Sequence, residues 1–208
     1  MGRFGLIVGA AVLILAAAGA FFWKDILRLT GQVSEEQLVT DLKTAAAGGG
    51  YAVTFSQADS TKWKIADGHQ LERFAIDNGA TAFVRLTSSV PLNAQTWEWS
   101  TQGLSTLFPV AFNNKTNSGK LQIGVIARRP ATNGSKAISV VYATQEAGNS
   151  GWKDIPIGAN FELTTFVFDV PHRDPGSYTK QPILVLNADR SGSGAAAEIL
   201  GVYVKQLQ

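Results

Sequence analysis

The sequence predicts an all-β domain, an antiparallel sandwich or barrel, behind one N-terminal transmembrane helix and a short amphipathic helix. Residues 4–23 carry no charged side chain. From Tyr51 onward, short runs rich in β-branched and aromatic residues recur between Gly, Asn, Asp, Ser and Pro, with no long helical pattern among them. We therefore divide the chain into a tail (1–3), a transmembrane anchor (4–23), a juxtamembrane helical linker (24–50) and a β-domain (51–208).

The composition limits the classes of function. With 208 residues, 45% of them hydrophobic, the chain can bury one good core. Its 18 Lys and Arg against 16 Asp and Glu are scattered along the chain, which argues against a nucleic-acid partner. The absence of cysteine excludes a disulfide framework, a thiolate zinc site and a Cys nucleophile.

The apolar run at 4–23 is long enough to cross the bilayer, since about 1.5 Å of rise per residue spans a hydrocarbon core of about 30 Å. A cleaved signal peptide is the alternative, because Arg3 is a short basic region and "AGA" at 18–20 resembles a cleavage site. The aromatic residues at 21–23, directly before Lys24, favour a retained signal anchor. We expect the domain outside the cytoplasm, in the periplasm or an equivalent extracytoplasmic space, although the distribution of Lys and Arg does not favour this orientation.

One side of the predicted anchor is lined by small residues. At 100° per residue these share a sector of roughly 60°, with Val12 at its edge. Such a face allows close approach of another membrane helix, and so predicts partners among integral-membrane proteins. The alternative is that a segment rich in alanine and glycine forms such a face by chance. The predicted helix-packing face consists of Gly5, Gly9, Val12, Ala16 and Ala20.

The linker contains a second helical pattern, "VSEEQLVTDLKTAAAGGG". Ser34 is placed as the N-cap with Gln37 three residues later, as in a capping box. Leu38, Leu42 and their apolar neighbours share one face, and glycines from Gly48 end the helix. This apolar stripe could pack on the domain, on lipid or on a partner, and we expect the domain.

Two of the five tryptophans lie two positions apart in "QTWEWSTQG", residues 95–103. In a strand, Trp97 and Trp99 would point to the same face. Large aromatic side chains usually supply buried area, so we expect both in the core, with a sugar-stacking platform as the alternative.

The order of features over about residues 80–208 resembles the jelly-roll β-sandwiches of carbohydrate-binding modules and galactose-binding-like domains. The resemblance is carried by "SSVPLNAQTWEWSTQG", by the "SGW" turn into a strand, by a strand ending in "DVP", and by a closing strand after a Gly/Ser-rich loop. It implies an all-β antiparallel jelly roll that binds sugars through aromatic side chains without catalysis, often with a structural calcium ion. It also implies that "TWEWS" is an interior strand and that Trp152 is packed.

Aromatic residues in polar, loop-like settings are the candidates for stacking on a sugar ring. Trp63, in "STKWKIADG", and Tyr178, in "PGSYTKQP", have such settings. Arg173 and Gln181 lie near Tyr178 in sequence and could bind sugar hydroxyls. The alternative is that these are ordinary surface residues.

A calcium loop is a second candidate site. "NADRSGSGAAAE" places Asn187, Asp189 and Ser191 at alternate positions and Glu198 at the twelfth, as in oxygen-ligand loops. Predicted strands flank it, so a simple Gly/Ser turn is the favoured alternative.

Enzyme motifs are absent from the sequence: there is no G-x-S-x-G elbow, P-loop or dinucleotide fingerprint. We therefore expect a non-catalytic, membrane-anchored binding module of carbohydrate-binding type, with the lipid bilayer and a glycan or polysaccharide as partners. The alternative is a structural accessory subunit of an integral-membrane protein complex, packing through its helix and its sandwich.

Overall fold

The computed structural model describes residues 34–76, 80–109, 119–144, 148–170 and 180–207. The predicted anchor, its packing face at Gly5, Gly9, Val12, Ala16 and Ala20, and the loop with Arg173 and Tyr178 lie outside these ranges. The predictions made for those residues therefore stay predictions. Within the described ranges, no helix is long and apolar enough to cross a membrane.

The described residues form one α-helix and two antiparallel sheets. The helix is α1 (Glu35–Ala46), and the strands are β1 (Tyr51–Thr54), β2 (Trp63–Ile65), β3 (His69–Ile76), β4 (Thr81–Ser88), β5 (Leu104–Leu107), β6 (Gly119–Arg128), β7 (Ala137–Ala143), β8 (Lys153–Pro156), β9 (Glu162–Val170), β10 (Ile183–Asn187) and β11 (Ala196–Leu207). Sheet A has the strand order β3-β4-β11-β6-β9, with β1 also pairing with β11, and sheet B has the order β2-β5-β10-β7-β8.

From β4 onward the chain crosses repeatedly between the sheets: β4, β6, β9 and β11 belong to sheet A, and β5, β7, β8 and β10 to sheet B. Every pair of neighbouring strands among the described residues is antiparallel. The predicted antiparallel β-sandwich is confirmed, and the crossings are those of a jelly roll.

The main core lies between the two sheets and is supplied largely by alternate residues of the longer strands, such as Leu121, Ile123, Val125 and Ala127 of β6. Strand β10 is buried along its whole length, and β11 is buried from Ala196 to Val204. Central strands with both faces covered have lost the alternation of buried and exposed residues. Something must therefore cover the outer face of each sheet.

Helix α1 covers part of the outer face of sheet A. Its buried side chains form a second apolar cluster with residues of β6 and β11 and with the residue before β9. The helix and its packing on the domain agree with the sequence prediction. The cluster comprises Leu38, Val39, Leu42 and Ala46 from the helix and Ile126, Phe161, Leu200 and Tyr203 from the sheet side.

A row of charges crosses the same outer face beside the helix. Glu198 of β11 lies opposite Arg85 of β4 and Arg128 of β6. Its Oε1 accepts a hydrogen bond from Arg85 Nη2 at 2.6 Å, and its Oε2 accepts one from Arg128 Nε at 2.5 Å. The guanidinium of Arg85 lies over Phe74, and that of Arg128 lies over Phe161 at 4.1 Å from the ring centroid. These contacts fix the arginines against the sheet.

The prediction of a strand at "TWEWS" is wrong. Residues Trp99–Thr101 form a short 3₁₀ helix, and the strand, β5, begins only at Leu104. Side chains in this segment bind neighbouring backbone N–H groups instead: Asn93 Oδ1 accepts from Gln95 N, and Thr96 Oγ1 accepts from Glu98 N. Such local hydrogen bonds compete with a sheet ladder.

Candidate functional site

The outer face of sheet B is apolar at its centre, and Trp99 of the short 3₁₀ helix packs on it, whereas no α-helix of the described residues does. Directly opposed residues of antiparallel strands point to the same face. One row runs from Ser105 of β5 to Val185 of β10 and Val141 of β7, and the next from Leu107 to Ile183 and Ala143. An outer face with this composition is expected to bind something or to be covered.

Three tryptophans line this face. Trp99 is 8% exposed and packs on Val141, Val185 and neighbouring apolar residues, while Trp152 is half-buried against the same cluster. Trp97 is 81% exposed, so the prediction that both Trp97 and Trp99 lie in the interior is wrong for Trp97. The ring centroid of Trp99 lies 6.4 Å from that of Trp97 and 6.3 Å from that of Trp152. The packed ring of Trp99 thus supports an exposed one.

Hydrogen bonds hold the segment that carries Trp97 and Trp99 onto the sheet. The Gln102 side chain accepts from Asn93 N at 2.7 Å, closing the loop between them. Asn187 at the end of β10 donates its Nδ2 to the Gln102 carbonyl at 2.8 Å. The backbone on both sides of Trp97 is therefore held in place, and this fixes the position of the exposed indole.

Gly103 allows this close approach. Its φ is +156°, and a Cβ at this position would lie 2.1 Å from the carbonyl oxygen of Leu186. Only glycine lets the backbone of the loop pass so close to β10. The residue is therefore a structural requirement of the site.

A groove runs beside the tryptophans along β5. One part encloses about 530 Å³ and the other about 260 Å³, and both are lined by Lys64, Ser105 and Leu107. We call this continuous depression the tryptophan groove. Its aromatic end is lined further by Trp97, Glu98, Trp99, Ser100, Thr101 and Ile183, and its basic end by Tyr51, Thr61, Lys62, Pro109 and Gln181.

The charges of the groove are unevenly distributed. Lys62 Nζ forms an ion pair with Asp59 at 2.6 Å and lies over the Tyr51 ring at 5.4 Å. The hydrogen bond that Lys62 donates to Asp59 raises the pKa of Lys62. Within the described residues, no carboxylate lies within ion-pairing distance of Lys64, which is exposed on β2. Among the described residues, Lys64 therefore presents a positive charge in the middle of the groove that has no ion-pair partner.

Trp63, the first predicted sugar platform, is an interior residue, which corrects the prediction. It is 9% exposed and lies in the main core. Its ring stacks on Phe55 with centroids 4.4 Å apart, and its Nε1 donates to the Thr54 carbonyl at 2.8 Å. Phe55 covers one face of the indole, its polar edge is occupied, and the ring is buried, so it has no surface to offer a ligand.

Gln181, by contrast, is exposed and lines the basic end of the groove. It was predicted beside Arg173 and Tyr178, which lie outside the described residues. The structure thus brings one predicted ligand-binding residue to the groove. It adds Lys64, which the sequence does not single out, and Trp97 and Trp99, for which a sugar-stacking platform is the alternative prediction.

The residues predicted to bind calcium have other partners. Asp189 Oδ1 accepts from Ser191 N and Oγ, at 3.0 and 2.6 Å, and Oδ2 accepts from Ser193 Oγ at 2.6 Å and Ala195 N at 3.1 Å. Burial raises the pKa of Asp189, but these hydrogen bonds outweigh it and hold the pKa well below its usual range. The carboxylate organises the β10–β11 turn.

The other two predicted calcium ligands are also engaged. Asn187 Oδ1 accepts from Asp189 N at 2.9 Å, and Glu198 is on β11 between two arginines. A carboxylate held by two guanidinium groups is a poor calcium ligand. The donors present therefore do not fit a calcium ion bound by Asn187, Asp189, Ser191 and Glu198, and the described residues contain no cluster of three or more His, Asp or Glu side chains suited to a metal.

One serine and one histidine meet inside the domain. Ser88 Oγ lies 3.0 Å from His69 Nδ1 and accepts a hydrogen bond from Ala188 N. Ser88 is fully buried, and burial lowers the pKa of His69. The Ser88 hydroxyl links β3, β4 and the end of β10, and a substrate cannot reach it. The contact between Ser88 and His69 is therefore structural.

Comparisons with known proteins agree with this fold. No protein-family model and no curated protein matches the sequence. The CBM22-1 xylan-binding domain of Xyn10C from Paenibacillus barcinonensis has 11% identity and a TM-score of 0.49, covering 76% of this chain and 94% of that domain. The sandwich is similar to carbohydrate-binding modules.

Two further solved structures show the same similarity. The module CBM6cm-2 of lichenase 5A from Cellvibrio mixtus, in complex with cellotriose, has 14% identity and a TM-score of 0.40 and covers 76% of this chain and 98% of that one. The C-terminal CBM6 of LamC from Zobellia galactanivorans has 11% identity and a TM-score of 0.40, covering 76% and 99%. The resemblance stated from the sequence is confirmed, and at these identities it concerns the fold and not a ligand.

Proposed function

We propose that this protein is a non-catalytic carbohydrate-binding module, held at a membrane outside the cytoplasm by residues 4–23, and that the tryptophan groove is its glycan site. The exposed ring of Trp97 is the observation that carries the proposal. Moving the exposed indole surface out of water and against the apolar face of a pyranose is favourable in free energy.

The groove also offers the polar partners that a sugar requires. Hydroxyl groups of a bound glycan need donors and acceptors beside the aromatic surface. Glu98, Ser100 and Thr101 lie next to Trp97, and Ser105 and Lys64 lie on the floor. The alternation of ring and polar side chain along one depression suits a chain of sugars better than a compact apolar ligand.

Binding of the full-length chain in mild detergent to a panel of soluble polysaccharides tests this proposal. We expect Trp97→Ala to weaken retention by about tenfold or more, because a central tryptophan typically contributes at least about 1–2 kcal/mol to an interface. Unfolding measured by circular dichroism should be unchanged, since the ring is exposed.

Val167→Ala is the matched control, because Val167 is an exposed apolar residue on β9, in the other sheet. It should bind as the wild type does. Failure of the wild type to be retained on any glycan, or equal retention of the Trp97→Ala variant, would contradict the proposed function. The alternative role as an accessory subunit depends on residues 5–20 and stays a prediction.

A further inference from the structure

The two ends of the tryptophan groove differ in chemistry. The aromatic end contains Trp97 and Trp99 with one carboxylate, Glu98. The basic end contains Lys62 and Gln181, and none of the described residues that line it is acidic. Lys64 lines both parts. A glycan that stacks on the tryptophans and continues along β5 must pass this lysine.

The register fixes the position of Lys64. It lies opposite Ser105 in the β2–β5 pair, and Ser105 belongs to the outer face. Its neighbours Trp63 and Ile65 point the other way, with Trp63 in the core. The Lys64 side chain therefore leaves the sheet on the groove side, beside the apolar row of Leu107 and Ile183.

Of the two lysines among the described residues that line the groove, Lys64 is the one that can form an ion pair with a ligand. The neighbouring Lys62 is already paired with Asp59, whose carboxylate also accepts from Thr54 N and Oγ1. Burial raises the pKa of Asp59, and these hydrogen bonds outweigh it and hold the pKa below its usual value, so the pair stays ionised at neutral pH. Lys64 has no such partner within the described residues.

We infer that the groove selects an acidic glycan, in which a uronate carboxylate binds Lys64 while a neighbouring sugar ring stacks on Trp97. This inference rests on the proposed function and specifies its ligand class. A carboxylate on the ligand would form an ion pair with Lys64, which no carboxylate of the described residues forms, and the aromatic end would supply affinity that does not depend on charge.

The test compares uronate oligosaccharides with their carboxyl-reduced forms, which differ only in that charge. Fragments of polygalacturonate, glucuronan and alginate, each with its reduced form, are titrated into the full-length chain in mild detergent. We expect at least one acidic fragment to bind about three- to tenfold more tightly than its reduced form at low salt, with the preference declining as salt is raised.

Three variants then assign the preference to a residue. Lys64→Gln should bind the acidic and reduced fragments equally, and Lys64→Arg should keep the preference. Lys43→Gln is the matched control, since it removes the same charge from an exposed position on α1, which packs on the other sheet. It should behave as the wild type does.

The outcomes separate the two proposals. Equal binding of acidic and reduced forms by the wild type, with both weakened by Trp97→Ala, would overturn the acidic-ligand inference and keep the glycan site. A preference that survives in Lys64→Gln would also overturn it. Absence of binding by every fragment, acidic and neutral, would remove both.

Discussion

The outer faces of the two sheets differ in what covers them. On sheet A, helix α1 and a row of ion pairs cover the strands, so that Leu42 is fully buried outside the main core. On sheet B, the same kind of apolar strand surface is left beside an open groove, with Trp97 81% exposed. Under the function that we propose, one face contributes to stability and the other to binding.

Truncating a side chain under the helix gives the sharpest test of this contrast. Leu42→Ala should lower the free energy of unfolding by about 3–5 kcal/mol, because it leaves a cavity between α1 and sheet A. Trp97→Ala, a larger deletion on the other face, should change it by less than about 0.5 kcal/mol. Urea denaturation followed by circular dichroism measures both.

Leu71→Ala is the control for the first variant, since Leu71 is a leucine on β3 of the same sheet that is 37% exposed. It should have a small effect. If Leu42→Ala were as stable as Leu71→Ala, the helix would be an attachment on the domain surface and not part of its folded structure.

The charge row should contribute less than the apolar cluster. Glu198→Gln leaves Arg85 and Arg128 facing each other without a carboxylate between them. Removing one partner of a fully buried pair costs about 3–5 kcal/mol, and we expect about 2–3 kcal/mol because the two arginines reach solvent. Thermal unfolding at low and moderate salt measures the loss.

The outer end of the same row supplies the comparison. Glu72 lies 3.7 Å from Arg85 and is largely exposed, so Glu72→Gln should cost well under about 1 kcal/mol. Similar losses for the two variants would mean that the central carboxylate is no more important than a surface charge.

The sequence predicts much of sheet A and little of the groove. Strands such as β4, β9 and β11 are long and rich in β-branched and aromatic residues, and α1 has an amphipathic period with its caps. Strands β2 and β5 have three and four residues and were not predicted. They form the groove, so its floor could not be placed.

The sequence predicts an exposed Trp63 and a buried Trp97, and the structure shows the opposite for both. Trp63 has polar neighbours in sequence, but a hydrogen bond to Thr54 and pairing with β5 bury it. Trp97 belongs to an alternating pattern that is typical of a strand, but local side-chain hydrogen bonds replace the ladder. Asn93, Thr96 and Gln102, whose side chains accept from backbone N–H groups of this segment, are the signal that could have indicated a loop.

Glu198 illustrates the limit of motif spacing. As the twelfth residue of a loop that starts at Asn187, it fits the spacing of a calcium loop, whereas its partners Arg85 and Arg128 are 113 and 70 positions away in sequence. Long-range strand register decides its role, and register cannot be read from a local pattern.

The turn that joins β10 of sheet B to β11 of sheet A provides the last and smallest test. Asp189→Asn should lower the free energy of unfolding at neutral pH by about 1–2 kcal/mol, because an amide cannot accept all the hydrogen bonds from Ser191, Ser193 and Ala195. Asp67→Asn, at an exposed position before β3, is the control and should be neutral.

The pH dependence separates a turn-forming carboxylate from a calcium ligand. The pKa of Asp189 is lower in the folded state than in the unfolded chain, so its stabilisation is fully present above the unfolded pKa of about 4 and is lost as the pH falls toward the folded value. The wild type and Asp189→Asn should therefore become closer in stability on acidification, with or without a chelator. A wild type that loses stability at neutral pH on removal of calcium, together with a variant that does not respond, would instead assign Asp189 to a metal site and would place a second ligand-binding feature at the junction of the two sheets.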